Sequence, residues 1–275
     1  MSNRCVRSSL YPKRQTNVDL CSLPPYFLYT QKNATRKHPS SRQGNPMSIA
    51  IIEALRGIDT PTVCNAMIVM DPTLRGKNYT LDTVIAANPG LPPFTGYALT
   101  AKIISSQPCT DSHEVMMQRR FAYYKYLAAA GRPTVMVMQD CGSRRGVGSI
   151  WGEINASLHK AMGVAGVVTD GAIRDLDTLP EGYQLLGGNV TPGSGFAHLI
   201  DFDTPVSVFG LPVRPGDLVH ADRHGCVVIR ADLIDRLPAA IARVQQRETT
   251  LLGVLNGPDF DYDKLVQAWH QFEVK

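Results

Sequence analysis

The chain has 275 residues, 44% of them hydrophobic and 19% charged, with a formal net charge of +4. That composition is globular, and no apolar run approaches the roughly 18–20 residues a membrane helix needs, so a membrane-spanning protein is excluded and a soluble one expected. The charge is uneven: residues 1–46 hold eight basic side chains and one acid, Asp19, leaving 20 basic and 23 acidic residues elsewhere. The body carries no basic excess to bind nucleic acid. Six cysteines, Cys5, Cys21, Cys64, Cys109, Cys141 and Cys226, include no Cys-x-x-Cys pair, which disfavours a zinc site and fits a reduced, cytoplasmic protein.

Residues 1–46 are rich in Ser, Arg, Asn, Pro and Gln without a sustained period, and they read as a flexible basic tail. A targeting segment and an interaction arm are the alternative uses of such a tail. One domain is expected over 47–253, with 254–275 as a C-terminal tail or short helix. Ser48 is placed to cap a helix through Leu55. Thr60, followed by Pro61, reads as the cap of a helix ending near Met70. Residues 97–105 alternate as a strand does, and Val115–Ala130 has helical period before Gly131 and Pro133.

Residues 134–139 (TVMVMQ) form a strand-length apolar run, and a glycine-rich loop covers 140–152. A helix is predicted from Glu153 to Met162, with Ile154, Leu158 and Met162 as its buried stripe and Gly163 as its stop. Val164–Thr169 reads as the next buried strand, followed by a turn over Asp170–Asp175. The order strand, helix, strand makes a parallel βαβ unit. Strands are expected over 205–209, at Val219 and over Val227–Ile229, and a long helix from Ala231 to Leu251. A short helix over Tyr262–Phe272 would suit an oligomer contact.

In a βαβ unit the loops leaving both strands share the carboxyl edge of the sheet, where such folds bind ligands. The start of the 153–162 helix and the pair Arg174-Asp175 should therefore converge. A helix start offers unpaired N–H groups and a positive dipole end for a carboxylate or phosphate. Gly146, Gly148 and Gly152 allow close backbone approach. Arg174 offers a planar fork for a carboxylate or an enolate. Asp175 is a hard oxygen ligand suited to Mg²⁺, and Glu153 is a second carboxylate that could pass a proton. Taken alone, an adjacent Arg-Asp is commonly a surface ion pair. Arg144-Arg145 reads as a solvated loop, with a role beside an anion as the alternative. His220, Asp222 and His224 superficially resemble metal ligands, but they span an expected tight turn, which favours turn chemistry.

The stretch Gly163–Leu179 (GVAGVVTDGAIRDLDTL) closely resembles the signature of the RraA-like family. That family includes class II 4-hydroxy-4-methyl-2-oxoglutarate / 4-carboxy-4-hydroxy-2-oxoadipate aldolases and regulators of ribonuclease activity. Its aldolase branch carries an acid, twenty residues, then Arg-Asp; Glu153, Arg174 and Asp175 have that spacing, with Glu standing where Asp is more usual. Leu55–Met67 and Arg214–Arg230 also resemble family segments, with Asn65 in place of a common Asp, and the resemblance spans roughly 50–250.

The resemblance implies an α/β fold, a swivelling β/β/α domain assembled as a homotrimer or homohexamer. It implies a lyase that cleaves a carbon–carbon bond beside a pyruvoyl group, with oxaloacetate decarboxylation through the same enolate. Asp175 would bind Mg²⁺ or another divalent cation such as Mn²⁺. Arg174 would bind substrate and stabilise the pyruvate enolate. The backbone at Gly152, Glu153, Ile154 and Asn155 would hold the pyruvoyl carboxylate, and Glu153 would orient a water on the metal. The alternative is a non-catalytic protein that binds a ribonuclease. A methyltransferase, another label attached to the family, lacks its Gly-x-Gly-x-Gly loop here.

Overall fold

The computed structural model describes residues 46–131 and 133–273. The expectation of a flexible tail falls on residues outside these. The helices are α1 (Pro46–Ala54), α2 (Thr60–Met70), α3 (His113–Ala128), α4 (Glu153–Ala161), α5 (Leu237–Leu255) and α6 (Tyr262–Glu273). The strands are β1 (Ile85–Ala86), β2 (Phe94–Ile104), β3 (Thr134–Asp140), β4 (Val164–Thr169), β5 (Ala172–Ile173), β6 (Gln184–Gly187), β7 (Asn189–Val190), β8 (His198–Phe202), β9 (Val206–Val208), β10 (Leu211–Val213), β11 (Leu218–Asp222) and β12 (Gly225–Ile229).

The main sheet runs β1-β6-β4-β3-β2-β11-β12. Strands β2, β3, β4 and β6 are mutually parallel, and β1, β11 and β12 pair antiparallel at the two sides. The edge of β2 that faces away from β3 is shared: β11 pairs with its first half and β8 with its second. The parallel strands are buried on both faces, which is why they read as continuous apolar runs rather than alternating ones.

Successive side chains of β3 enter different cores. Met136 and Met138 join Leu99, Trp151 and Tyr123 on the face that also buries α3 residues. Val135 and Val137 join Leu186 and the β9–β10 hairpin on the other. A third core gathers α1, α2 and α5 against Leu218, Val227 and Ile229. Among the described residues no helix is long and apolar enough to cross a membrane.

Several local expectations shift. Asp59, not Thr60, caps α2, accepting from Thr62 N at 2.8 Å. The helix expected from Ala231 begins as a 3-10 turn over Ala231–Arg236, and α5 starts beside Pro238, whose ring suits a helix's first turn. The stretch read as a turn, 170–175, contains β5, paired in parallel with β7. The stripe Ile154, Leu158, Met162 is not the buried face of α4. Ile154 is 83% exposed, and Ala156 and His159 are the buried residues. His159 sits 4.6 Å from the Trp151 ring, and its Nε2 is 2.6 Å from Tyr123 Oη. A satisfied histidine on an aromatic wall therefore turns the helix, and Ile154 faces out.

Candidate active site

Strands β3 and β4 lie side by side and parallel, so the segments leaving them meet at one edge. Segment 141–152 runs from β3 into α4, and segment 170–175 leaves β4. They are stitched together by backbone bonds: Trp151 bridges Ile173, and Arg174 N donates to Trp151 O at 2.9 Å. Ser149, fully buried, ties both: its Oγ accepts from Trp151 N at 3.0 Å and lies 2.7 Å from Ala172 O.

This stitching brings Arg174, Asp175 and the start of α4 together. Glu153 N donates to Asp175 Oδ2 at 3.2 Å, and Arg174 Nε lies 3.8 Å from the same oxygen. Asp175 adopts φ +57°, a left-handed conformation that Asp tolerates better than most residues. Gly152 leaves no space for a side chain: a Cβ there would stand 2.3 Å from Asp175 Oδ2 and 3.2 Å from Arg174 Cγ. The close approach, rather than an unusual φ, is what requires glycine.

The first intrahelical bond of α4 runs from Ala156 N to Gly152 O at 3.0 Å. The N–H groups of Ile154 and Asn155 precede it and are available to an anion. The Asn155 side chain turns away, donating to Ile150 O at 2.6 Å. Glu153 is exposed in the first turn of α4. Arg174 is half-buried; its Nε is buried with no hydrogen-bond partner among the described residues. A buried guanidinium N–H without an acceptor is costly unless a ligand supplies one.

Mg²⁺ takes one or two carboxylates and otherwise keeps waters and substrate oxygens. Asp175 fits that role, because Oδ2 accepts from Glu153 N while no bond to Oδ1 is found among the described residues. Among the described residues no group of three or more His, Cys, Asp or Glu side chains could hold a metal. Any divalent ion here would therefore rest on Asp175, with water and substrate completing its shell.

Other charged groups resolve differently. Arg145 is not simply solvated: its Nη1 lies 3.1 Å from Asp170 Oδ2, in ion-pair range but misaligned for a hydrogen bond. Burial pushes the Asp170 carboxyl up to about 6, against the hydrogen bond from Asp140 N and the charge of Arg145. Of the His220, Asp222, His224 string, Asp222 and His224 do turn chemistry, whereas His220 lies within β11. Asp222 accepts from His224 N and from Thr60 N, both at 2.8 Å. His220 is fully buried between Thr95 Oγ1 and Ile58 O. Asp140, Ser149 and Asp170 were not singled out from sequence as functional. An acid closing a strand just before a glycine-rich loop was the signal for the first.

A sequence model of the RraA-like family, described as Aldolase/RraA, matches residues 60–228. A Hahella chejuensis protein with the provisional name 4-hydroxy-4-methyl-2-oxoglutarate aldolase is 31% identical over 140 residues, 49% of this chain and 74% of its own. A Halalkalibacterium halodurans protein with the same provisional name is 34% identical over 83 residues, 30% of this chain and 40% of its own. The first curated relatives are spanned over only 15% to 55% of their own length. Among solved structures, Streptomyces coelicolor RraAS2, described as an unusual member of the RNase ES inhibitor RraA family, superposes with a TM-score of 0.57. It is 24% identical, over 73% of this chain and 94% of its own. The swivelling α/β architecture is shared with it.

Proposed function

Since the chain belongs to the RraA-like (Aldolase/RraA) family, we propose that it is a divalent-metal-dependent lyase. It would cleave a carbon–carbon bond beside a pyruvoyl group, acting on acids of the 4-hydroxy-4-methyl-2-oxoglutarate type. One observation carries this reading: Asp175 Oδ2 lies 3.2 Å from Glu153 N and 3.8 Å from Arg174 Nε, so a carboxylate, a guanidinium and a helix start share one point.

The division of labour follows from the chemistry. The pyruvoyl carboxylate binds the N–H groups of Ile154 and Asn155 at the positive end of α4. Arg174 directs its fork at the keto oxygen. Retro-aldol cleavage removes the proton from the 4-hydroxyl, breaks the C3–C4 bond and leaves an enolate on the pyruvoyl fragment. Arg174 is a fixed donor where that negative charge develops. Glu153, exposed in the first turn of α4, is the carboxylate that would take the hydroxyl proton and return a proton to C3. A divalent ion held by Asp175 would add Lewis-acid polarisation of the keto oxygen. Decarboxylation of oxaloacetate yields the same enolate.

The test is pyruvate release from 4-hydroxy-4-methyl-2-oxoglutarate and from oxaloacetate, with Mg²⁺ and with excess chelator. Chelator-sensitive release from either is expected, and the two rates rank the substrates. No release from either overturns the lyase reading and turns attention to ribonuclease binding.

A further inference from the structure

Asp140 closes β3 and is completely buried. Its carboxylate accepts four hydrogen bonds. Oδ1 takes Gly142 N at 3.0 Å and Ser105 N at 3.3 Å; Oδ2 takes Ser105 Oγ at 2.5 Å and Gly146 N at 2.9 Å. Two oxygens with two donors each have no lone pair left for substrate or metal. A fully buried carboxylate is costly unless hydrogen bonds offset its lost hydration, and two of these four donors, Gly142 N and Gly146 N, come from segment 141–152. It organises the first half of the segment that becomes α4.

From there the order is handed on by contacts that leave little slack. Gly146, at φ +67°, accepts from Asn189 Nδ2 at 3.0 Å through its carbonyl. A Cβ on Gly148 would stand 2.1 Å from Ser194 O, and Ser149 N donates to Gly193 O at 3.0 Å. Ser149 then joins Trp151 to Ala172, and Gly152 presses on Asp175. The second strand is tied in as well, since Asp140 N donates to Asp170 Oδ1 at 2.7 Å.

We propose that Asp140 is a positioning residue. Its buried carboxylate fixes segment 141–152, and through that segment the first turn of α4 against Arg174 and Asp175. The reaction it serves rests on the lyase reading; the ordering of the segment does not.

The test is Asp140→Asn. The amide has the same shape but only one acceptor oxygen, so either Gly142 N or Gly146 N must face an NH₂ group. Hydrogen exchange of the free protein should speed up within 141–152 and stay unchanged in β2 and α5. In Mg²⁺ buffer, affinity for oxalate, a planar mimic of the pyruvate enolate, should fall about tenfold or more, as misplacing a binding element does. Ser105→Ala, which removes one bond to Asp140 but leaves both loop amides paired, should keep segment exchange near wild type. Restoring neither exchange nor affinity with Asp140→Glu, whose longer arm cannot meet both amides, is also expected.

Unchanged exchange of 141–152 in Asp140→Asn overturns the proposal. So does a rise spread evenly over the fold with oxalate affinity retained, which would make Asp140 a stability residue only. If Asp140→Asn does not fold, the wild type still decides: Gly142 and Gly146 amides should exchange slowly, and fast exchange there sinks the idea. Absence of both pyruvate release and oxalate binding in the wild type defeats the lyase reading, while the exchange comparison still judges Asp140.

Discussion

Asp175 caps the helix that begins at Glu153: Glu153 N lies 3.2 Å from Asp175 Oδ2, although the two residues are 22 positions apart. The helix has no side-chain cap of its own, because its N-cap residue is Gly152. A carboxylate at this end satisfies an unpaired N–H and meets the positive end of the helix dipole. One oxygen of Asp175 thereby ties the start of α4 to the Arg174 segment, and no hydrogen bond to the other is found among the described residues.

Gly152→Ala tests that link. The new Cβ would stand 2.3 Å from Asp175 Oδ2 and 3.1 Å from its Cγ, so the carboxylate must swing away. The Gly152 backbone, at φ −142°, is one that alanine adopts freely, so the stability lost should be that of the Glu153 N cap alone, about 1 kcal/mol. Mg²⁺-dependent pyruvate release should drop roughly 100-fold, with an unchanged circular dichroism spectrum. Retained turnover would show that Asp175 need not sit where it does.

Asp175→Asn and Asp175→Ala separate capping from metal binding. Asparagine accepts from Glu153 N and tolerates φ +57°, but has no charge for the cation. Both variants should lose chelator-sensitive turnover. Only Asp175→Ala should also lose stability, by about 1–2 kcal/mol from a lost cap and a strained backbone. Thermal melts of the two, run beside a turnover assay, check this; wild-type turnover in Asp175→Asn would remove the metal role.

These relationships were partly legible in the sequence. The apolar runs of β3 and β4, the loop between α4 and β3, and the spacing of Glu153 from Arg174 sufficed to predict that they converge, because a parallel βαβ unit leaves no other arrangement of its strand ends. The buried face of α4 was not legible. Apolar spacing pointed to Ile154, whereas a histidine became core because Tyr123, 36 positions away, supplies its partner. Asp140 and Asp170 look like turn formers until Ser105, Gly146 and Arg145 are seen around them. The two-residue strands β5 and β7 are too short to carry a period, and β5 reads in sequence only as part of the turn over 170–175.

Arg174→Lys should keep the charge but lose the planar fork. Arg174 Nε is a buried donor without a hydrogen-bond partner among the described residues, and a lysine has no group at that point. If the fork stabilises the enolate, kcat should fall roughly 100-fold or more with little change in KM, as for loss of an oxyanion donor. A rise confined to KM would assign Arg174 to ground-state binding instead.

Stability should fall in acid through two buried histidines. Burial pushes His159 from 6.5 down to about 4, against its hydrogen bond to Asn155 O, and pushes His220 down equally, against Asp222 and the bond to Ile58 O. Between these limits the unfolded chain binds protons that the folded one refuses, so stability drops as pH falls from about 6.5 to about 4 and is level above. Asp170 acts in the opposite sense. Its folded value of about 6 lies above the ordinary 3.8, so the folded state takes up a proton first and gains stability as pH falls across that interval. Asp71, Asp222 and Asp232 are held below 3.8 and act only further into acid. Two histidines against one aspartate leave a net slope of roughly one proton between pH 4 and 6. Asp170→Asn, which keeps an acceptor for Asp140 N, should steepen the slope to about two protons, and His159→Gln should flatten it toward zero. Denaturant titrations at half-unit pH steps measure it, and a slope indifferent to both substitutions would mean that other groups govern the acid limit.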